Sequence, residues 1–282
     1  MALVKAIHFG LAFSIFFNFV IIIFNLNLSK PSLIKAKATE YDASQPIVQV
    51  AMLIQATGNY ASWTVKMIDS ARRFFLNQPG FNVSFLIFSD HLNQIATGDD
   101  VVGTEQKRMG WPSDSMYRHE IYLNNSHLFK DKDFIFCADA DLRFVGDVGF
   151  EILGDLVGTQ HPGYWRSPPS SFPYDRNPNC CAFVNQTTGD GWQYFYGAFY
   201  GGRTKNVVSL FENIKKCASQ DKKNKIIPLW HDESYLNHFF IKSPPSIILS
   251  PSYSTIEGQG KKKKLGFLMK LIIIFNIQQI CL

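Results

Sequence analysis

The sequence predicts an α/β domain on a mainly parallel sheet. Three observations predict it. Short apolar runs at 47–54, 83–88 and 133–138 read as strands. Helix-like spacing at 61–75 and 116–123 separates them, and alternation of strand and helix favours parallel pairing. The third run ends in Asp139-Ala140-Asp141, and open α/β sheets collect ligands beyond the carboxyl ends of their strands.

The chain opens with a different texture. Residues 1–5 form a short polar-flanked tail, expected in the cytoplasm. Residues 6–28, AIHFGLAFSIFFNFVIIIFNLNL, are almost wholly apolar and long enough for a membrane-spanning helix of about 20 residues. No small-x-small cleavage pattern follows, which favours an uncleaved signal anchor over a cleaved signal peptide. Residues 29–46 are polar, contain two prolines, Pro31 and Pro46, and read as a stem. Lys5 precedes the span while Lys30, Lys35 and Lys37 follow it, so the lysine bias alone places the domain in the cytoplasm. Sequons at Asn82, Asn124 and Asn185 argue for a lumenal domain.

The domain itself is expected at 47–253. The 47–54 strand closes in a turn at 55–58. The 61–75 helix follows, with Trp63, Met67 and Phe74 among its apolar positions. A loop at 77–80 leads to the 83–88 strand. The 116–123 helix has Ser113 or Asp114 available as N-cap. Beyond Asp141, glycine, proline and aromatic residues crowd 158–202, a composition suited to pocket walls. Helical spacing returns at 206–218. Residues 254–282 form a distinct tail: Lys261 to Lys264, then an apolar end that Lys270 interrupts, too short beyond it for a second span.

Composition narrows the function classes. A chain of 282 residues with 46% hydrophobic and 15% aromatic residues has ample core for one large or two small domains and is not disordered. The net charge of +5 is mild, and no arginine-rich stripe exists, so nucleic acid is not an expected partner. The cysteines are Cys137, Cys180, Cys181, Cys217 and Cys281, without C-x-x-C spacing. Cys137 is expected as a buried thiol. Cys180 and Cys181 are too close in sequence to bridge easily, and the pairing of any disulfide stays open.

Alternation along an extended chain points Asp139 and Asp141 to the same side. Two hard oxygen ligands there suit Mn²⁺ or Mg²⁺ carrying a diphosphate. A solvated turn is the plainer explanation of the same three residues.

Further motifs select between these. They are Ala56-Thr-Gly-Asn-Tyr60, Phe136-Cys-Ala-Asp-Ala-Asp-Leu142, Val148-Gly-Phe-Glu-Ile-Leu153, His161-Pro-Gly-Tyr164 and Phe172-Pro-Tyr-Asp-Arg176. Gly197-Ala-Phe-Tyr-Gly-Gly202, Trp230-His-Asp-Glu-Ser-Tyr-Leu-Asn237 and Ser250-Pro-Ser-Tyr253 continue the series. In this order the chain resembles glycosyltransferase family 6, the group of the ABO blood-group transferases, α1,3-galactosyltransferase and Forssman synthase. The resemblance implies a GT-A fold, Rossmann-like in its nucleotide-binding half, behind one N-terminal membrane-anchor helix. It implies a single-pass type II Golgi membrane protein with a lumenal domain. It implies Mn²⁺-dependent transfer of Gal or GalNAc from UDP-Gal or UDP-GalNAc to a β-galactoside on a glycolipid or glycoprotein, in α1,3 linkage with retention.

Roles follow position by position. Asp139 and Asp141 would hold the metal, with Asp139 also on the donor side. Tyr60 would stack on uracil, with Ala56 and Thr57 lining the uridine. Arg118 falls near the donor sugar and can fix an aspartate by pairing with it. Glu233 is the expected catalytic group, as nucleophile or as stabiliser of oxocarbenium charge. Asp232 would bond donor hydroxyls, and His231 would shape the donor pocket. Trp230 and His161 would contact the acceptor, an indole face against galactose and an imidazole to its 4-hydroxyl. Tyr196-Gly197-Ala198 occupies the tripeptide that sets donor choice. Gly197 and Ala198 are small, Tyr196 is an unusual occupant, and the donor stays undecided.

Two departures stand out. Pro173 replaces a hydroxyl residue on the acceptor side. The Trp-Asp pair expected after Tyr253 is absent, and the 254–282 tail does not match the family's closing segment. An active transferase and a catalytically silent, membrane-anchored glycan- or nucleotide-binding protein both fit at this point.

Overall fold

The computed structural model describes residues 46–185, 193–256 and 271–273. In chain order its strands are β1 (Val48–Gln55), β2 (Phe81–Ser89), β3 (Val101–Glu105), β4 (Phe134–Ala138), β5 (Leu142–Phe144) and β6 (Leu156–Gln160). Then come β7 (Phe195–Arg203), β8 (Ile247–Leu249), β9 (Thr255–Ile256) and β10 (Leu271–Ile273). The helices are α1 (Trp63–Phe74), α2 (Ser113–Met116), α3 (Arg118–Asn124), α4 (Thr204–Lys223) and α5 (His231–Lys242).

Seven strands form the main sheet in the order β3-β2-β1-β4-β7-β6-β8. β3, β2, β1 and β4 run parallel. β7 is antiparallel to both β4 and β6, and β8 is parallel to β6. The α/β expectation therefore holds, with β7 as the reversed strand.

The apolar runs are explained by burial on both faces. Along β1, Val50, Met52 and Ile54 join a core with Met67, Phe75, Phe136 and Phe199. Ala51 and Leu53 point the other way, into a core with Tyr122, Ile135, Phe211 and Tyr235. Period-two alternation sorts one strand into two cores. All five residues of β4 are buried, which leaves Asp139 and Asp141 to emerge at its carboxyl end. Gly201 explains how closely β7 presses on β4, since a Cβ there would lie 2.3 Å from the Ile135 carbonyl oxygen.

Several elements differ from expectation. The 116–123 helix is two short helices, α2 and α3, separated at Tyr117. Ser113 does not cap. Pro112 occupies that position, and the Asp114 carboxylate instead accepts the Met109 and Gly110 N–H groups at 2.8 and 3.0 Å. The 158–202 stretch contains strand structure, β6 and β7, because its aromatics pack in the sheet. The 206–218 helix extends to the whole of α4. Part of the expected tail also joins the fold, as β10 pairs with β5 and β9 in a three-stranded sheet.

The open cysteine question resolves as a Cys181–Cys217 disulfide, with Cys137 and Cys180 as buried free thiols. The sequon residues Asn82, Asn124 and Asn185 are exposed. The expected cytoplasmic tail and anchor, most of the stem, and Lys261 to Lys264 lie outside the described residues. Among the described residues no helix is long and apolar enough to cross a membrane.

Candidate active site

The carboxyl edge of the sheet gathers most of the expected residues. Asp139 and Asp141 do not lie in extended chain. β4 stops at Ala138, and the Leu142 N–H donates to the Asp139 carbonyl at 3.1 Å, closing a turn before β5. The turn is pinned to β7 by the Asp139 N–H, which donates to the Ala198 carbonyl at 3.0 Å. Same-side projection by strand alternation was thus the wrong geometry for this pair. The two carboxylates still feel each other. Burial first, and then the Asp139 charge, push the Asp141 carboxyl up to about 7.

Arg118, the first residue of α3, reaches into this edge. Its Nη1 donates to Asp139 Oδ1 at 2.7 Å, and its Nε stands 3.1 Å from Asp232 Oδ2. Burial opposes its charge, but Asp232 and Asp139 outweigh that and hold the guanidinium protonated. Ser115, at the end of α2, donates to Asp232 Oδ1. Sequence reasoning missed Ser115, and a lone serine in a short helix gives no signal. Burial raises the Asp232 carboxyl, with Arg118 and Ser115 working against it.

Asp232 and Glu233 sit in the first turn of α5, where the helix dipole favours negative charge. Glu233 Oε2 accepts the Gly197 N–H at 2.9 Å. Burial nonetheless pushes the Glu233 carboxyl up to about 8, with Gly197 and Tyr194 opposing and Asp232 and Asp139 adding to the rise. Asn237 fixes α5 against β7. Its Oδ1 accepts the Phe195 N–H and its Nδ2 donates to the Phe195 carbonyl, both at 2.8 Å, while Nδ2 also reaches Glu233 O at 2.9 Å. Asn237 closes the Trp230–Asn237 string, so its position was visible in the sequence although its duty was not.

Gly197 faces this acidic pair. A Cβ there would lie 3.5 Å from Glu233 Cβ and 3.8 Å from Asp232 Oδ2, ordinary contact distances. Ala198 is buried beneath it. Tyr196 sets its ring edge-on to His161 at 4.5 Å. Burial, then Asp139, Glu233 and Asp141, raise its phenol strongly.

His161 is held neutral, its imidazole lowered to about 4 by burial. Its Nδ1 accepts the Gly163 N–H at 3.0 Å, which assigns the proton to Nε2 and leaves a donor there. Trp230, 48% exposed, precedes α5 and presents an open indole face. His231 has φ 50° and lies edge-on to Trp111, ring centres 4.4 Å apart.

At the end of β1, the Ala56 methyl belongs to the core, and its N–H donates to the Phe88 carbonyl at 2.9 Å. Thr57 leads into a 3₁₀ turn, Gly58–Ser62. Gly58 adopts φ +60° and donates its N–H to Asp90 Oδ1 at 2.7 Å. Tyr60 is 45% exposed, and burial, then Asp141 and Asp139, raise its phenol. Pro173 is half-buried between Phe172 and Tyr174, two rings of an aromatic cluster that also holds Tyr194.

Among the described residues no group of three or more His, Cys, Asp or Glu could hold an ion alone. The Asp139 and Asp141 carboxylates, the first of which raises the second, still fit a divalent cation whose remaining ligands come from substrate oxygens and water. A separate cleft of roughly 640 Å³, lined by residues including Cys180, Phe183, Lys216 and His238, contains none of the expected site residues.

A mixed sheet whose carboxyl edge joins an Asp-x-Asp turn, a buried arginine and an acidic helix start defines a protein of the α/β glycosyltransferase class. The description Glycosyltransferase family 6 matches residues 36–276. The chain belongs to glycosyltransferase family 6. It is 32% identical over 212 residues to histo-blood group ABO system transferase 2 of Rattus norvegicus, covering 72% of this chain and 62% of the relative. It is 33% identical over 220 residues to globoside alpha-1,3-N-acetylgalactosaminyltransferase 1 of Homo sapiens, covering 74% and 62%. A bacterial relative, the O-antigen biosynthesis glycosyltransferase WbnI of Escherichia coli, is 26% identical over 224 residues, covering 76% and 91%. The match thus spans about three-fifths of the rat and human relatives.

Proposed function

We propose that this protein is a metal-dependent retaining glycosyltransferase of the GT-A type. It transfers Gal or GalNAc from the UDP-sugar to a β-galactoside acceptor, forming an α1,3 linkage. The observation that carries the reading is Arg118 bonded to Asp139 and set beside Asp232, which draws the carboxylate turn and the acidic start of α5 into one site. Family membership supports the reaction class, and the alpha-1,3 activity named for the human relative supports the linkage.

Asp139 and Asp141 would hold Mn²⁺, which supplies Lewis-acid stabilisation of the departing diphosphate when bound. Tyr60 offers its half-exposed ring to uracil. Asp232, fixed by Ser115 and Arg118, orients donor hydroxyls. Glu233, anchored by the Gly197 N–H, faces the anomeric carbon as nucleophile or as the countercharge to an oxocarbenium ion. His161 donates from Nε2 to an acceptor hydroxyl, and Trp230 gives the sugar an apolar face. A type II Golgi placement, with residues 6–28 as anchor, agrees with the exposed sequon asparagines and the disulfide.

The test uses the full chain in detergent with UDP-Gal and UDP-GalNAc, lactose as acceptor, and Mn²⁺ present or chelated. UDP release and a trisaccharide product that require Mn²⁺ are expected. Tight UDP binding with no turnover from either donor overturns the reading in favour of a silent binding protein.

A further inference from the structure

Tyr194 stands one residue before β7, ahead of Tyr196-Gly197-Ala198. It is 2% exposed. Its ring lies in an aromatic wall, 5.7 Å from His161, 5.3 Å from Tyr164 and 5.4 Å from Tyr174. A tyrosine buried to this degree ordinarily finds a partner for its hydroxyl. The Tyr194 hydroxyl is fully buried and forms no well-aligned hydrogen bond among the described residues. The group beside it is the Glu233 carboxylate, which after burial is the largest influence raising the phenol.

Glu233 needs such a donor. The titratable groups facing it are Asp232 on α5, Asp139 beyond β4, and Tyr194 and Tyr196 at the start of β7. None of these is a cation. Arg118 spends its contacts on Asp139 and Asp232. Among the described residues the one well-formed bond to the Glu233 carboxylate is the Gly197 N–H at 2.9 Å. An ionised Glu233 would sit among two aspartates with a single backbone donor, unless the phenol turns.

We propose that Tyr194 is a positioning residue for Glu233: its O–H rotates onto the ionised carboxylate, completing a two-donor cradle with the Gly197 N–H. A hydrogen bond to the charged form favours that form. The cradle favours the ionised form of Glu233 and aims it at the anomeric carbon of the proposed reaction, and the inference rests on that reading of Glu233.

The experiment compares the full chain with Tyr194→Phe, reading UDP release under Mn²⁺, donor and acceptor from pH 5.5 to 9.5. The acid limb of kcat is expected to rise by about one pH unit, the worth of one hydrogen bond to a charged group. Activity at pH 6.5 then falls about tenfold and recovers toward the parent's at the alkaline end, while UDP binding is unchanged. An unmoved acid limb overturns the proposal, whether the variant shows a raised acceptor KM, which makes the phenol an acceptor contact, or only a lower melting temperature. Glu233→Gln separates the two readings. If it is inactive while the Tyr194→Phe limb stays put, the cradle alone fails. If it keeps the parent's rate, the catalytic reading fails and takes the cradle with it.

Discussion

Asp139 and Asp232 answer to one guanidinium. Arg118 Nη1 donates to Asp139 Oδ1 at 2.7 Å, and its Nε lies 3.1 Å from Asp232 Oδ2. The arginine thereby couples the turn after β4 to the start of α5. Its removal leaves the Asp232 carboxylate, 8% exposed, without its charge partner. Arg118→Gln is expected to cost about 3 kcal/mol or more of stability, the usual penalty for breaking a buried pair. A denaturant midpoint unchanged from the parent's would contradict this account of the site.

The carboxylate turn should act as a unit with the metal. Asp139→Asn and Asp141→Asn are each expected to abolish the Mn²⁺-dependent part of UDP binding, because both carboxylates would serve one cation. Calorimetry with UDP, with and without Mn²⁺, reads this directly. Retained Mn²⁺ enhancement in either variant removes that carboxylate from the metal site.

Glu233 carries a pH signature in stability as well as in rate. Its carboxyl is raised from 4.5 to about 8 in the folded chain. Between those values the unfolded chain is ionised while the folded chain keeps the proton. Stability therefore falls as pH rises through the window. Glu233→Gln removes that dependence, so its melting temperature should gain on the parent's between pH 5 and pH 8, by about 3 °C or more. Turnover should fall by about 100-fold or more with UDP binding spared. A parallel pair of melting curves across the window would show that Glu233 titrates normally.

Two glycines of β7 should respond oppositely to alanine. At Gly201 the new methyl would meet the Ile135 carbonyl oxygen at 2.3 Å, and backbone there cannot yield without breaking the β4–β7 ladder. Gly201→Ala is expected to cost about 3 kcal/mol or more, or to give insoluble protein. At Gly197 the nearest atom is Glu233 Cβ at 3.5 Å, so Gly197→Ala should fold normally. Its effect is expected in the donor KM, since the methyl narrows the space before the acidic pair.

The Cys181–Cys217 bridge closes a loop with a sequence separation of 36 residues. Loop entropy gives it about 3–4 kcal/mol. Replacing both cysteines by serine should lower the denaturant midpoint accordingly, and a reducing agent should do the same to the parent. Asp221 is expected to soften the loss, because its buried carboxylate accepts the Cys181 N–H at 2.9 Å and the Tyr235 O–H at 3.0 Å without help from the bridge.

β1, β2 and β4 of the parallel half were legible because burial leaves an apolar run, as in Val48–Gln55 and Phe134–Ala138, whereas the largely exposed edge strand β3 was not. Nor was β7. Its Gly197, Gly201 and Gly202 look like loop residues, yet Gly201 and Gly202 are there because β4 and the approach to β6 crowd the strand, while Gly197 has room for a methyl before Glu233. The break at Tyr117 between α2 and α3 was equally hidden, since apolar spacing runs across it.

The residues themselves determined an α/β chain, two carboxylates at a strand's end and an adjacent acidic pair, because periodicity and local charge are written in order along the chain. Tertiary structure alone decided that Asp139 and Asp141 sit in a turn, that Arg118 joins Asp139 to Asp232, and that Tyr194 is spare beside Glu233. Each of these depends on which groups lose water together, and desolvation is a property of packed neighbours that no linear spacing records.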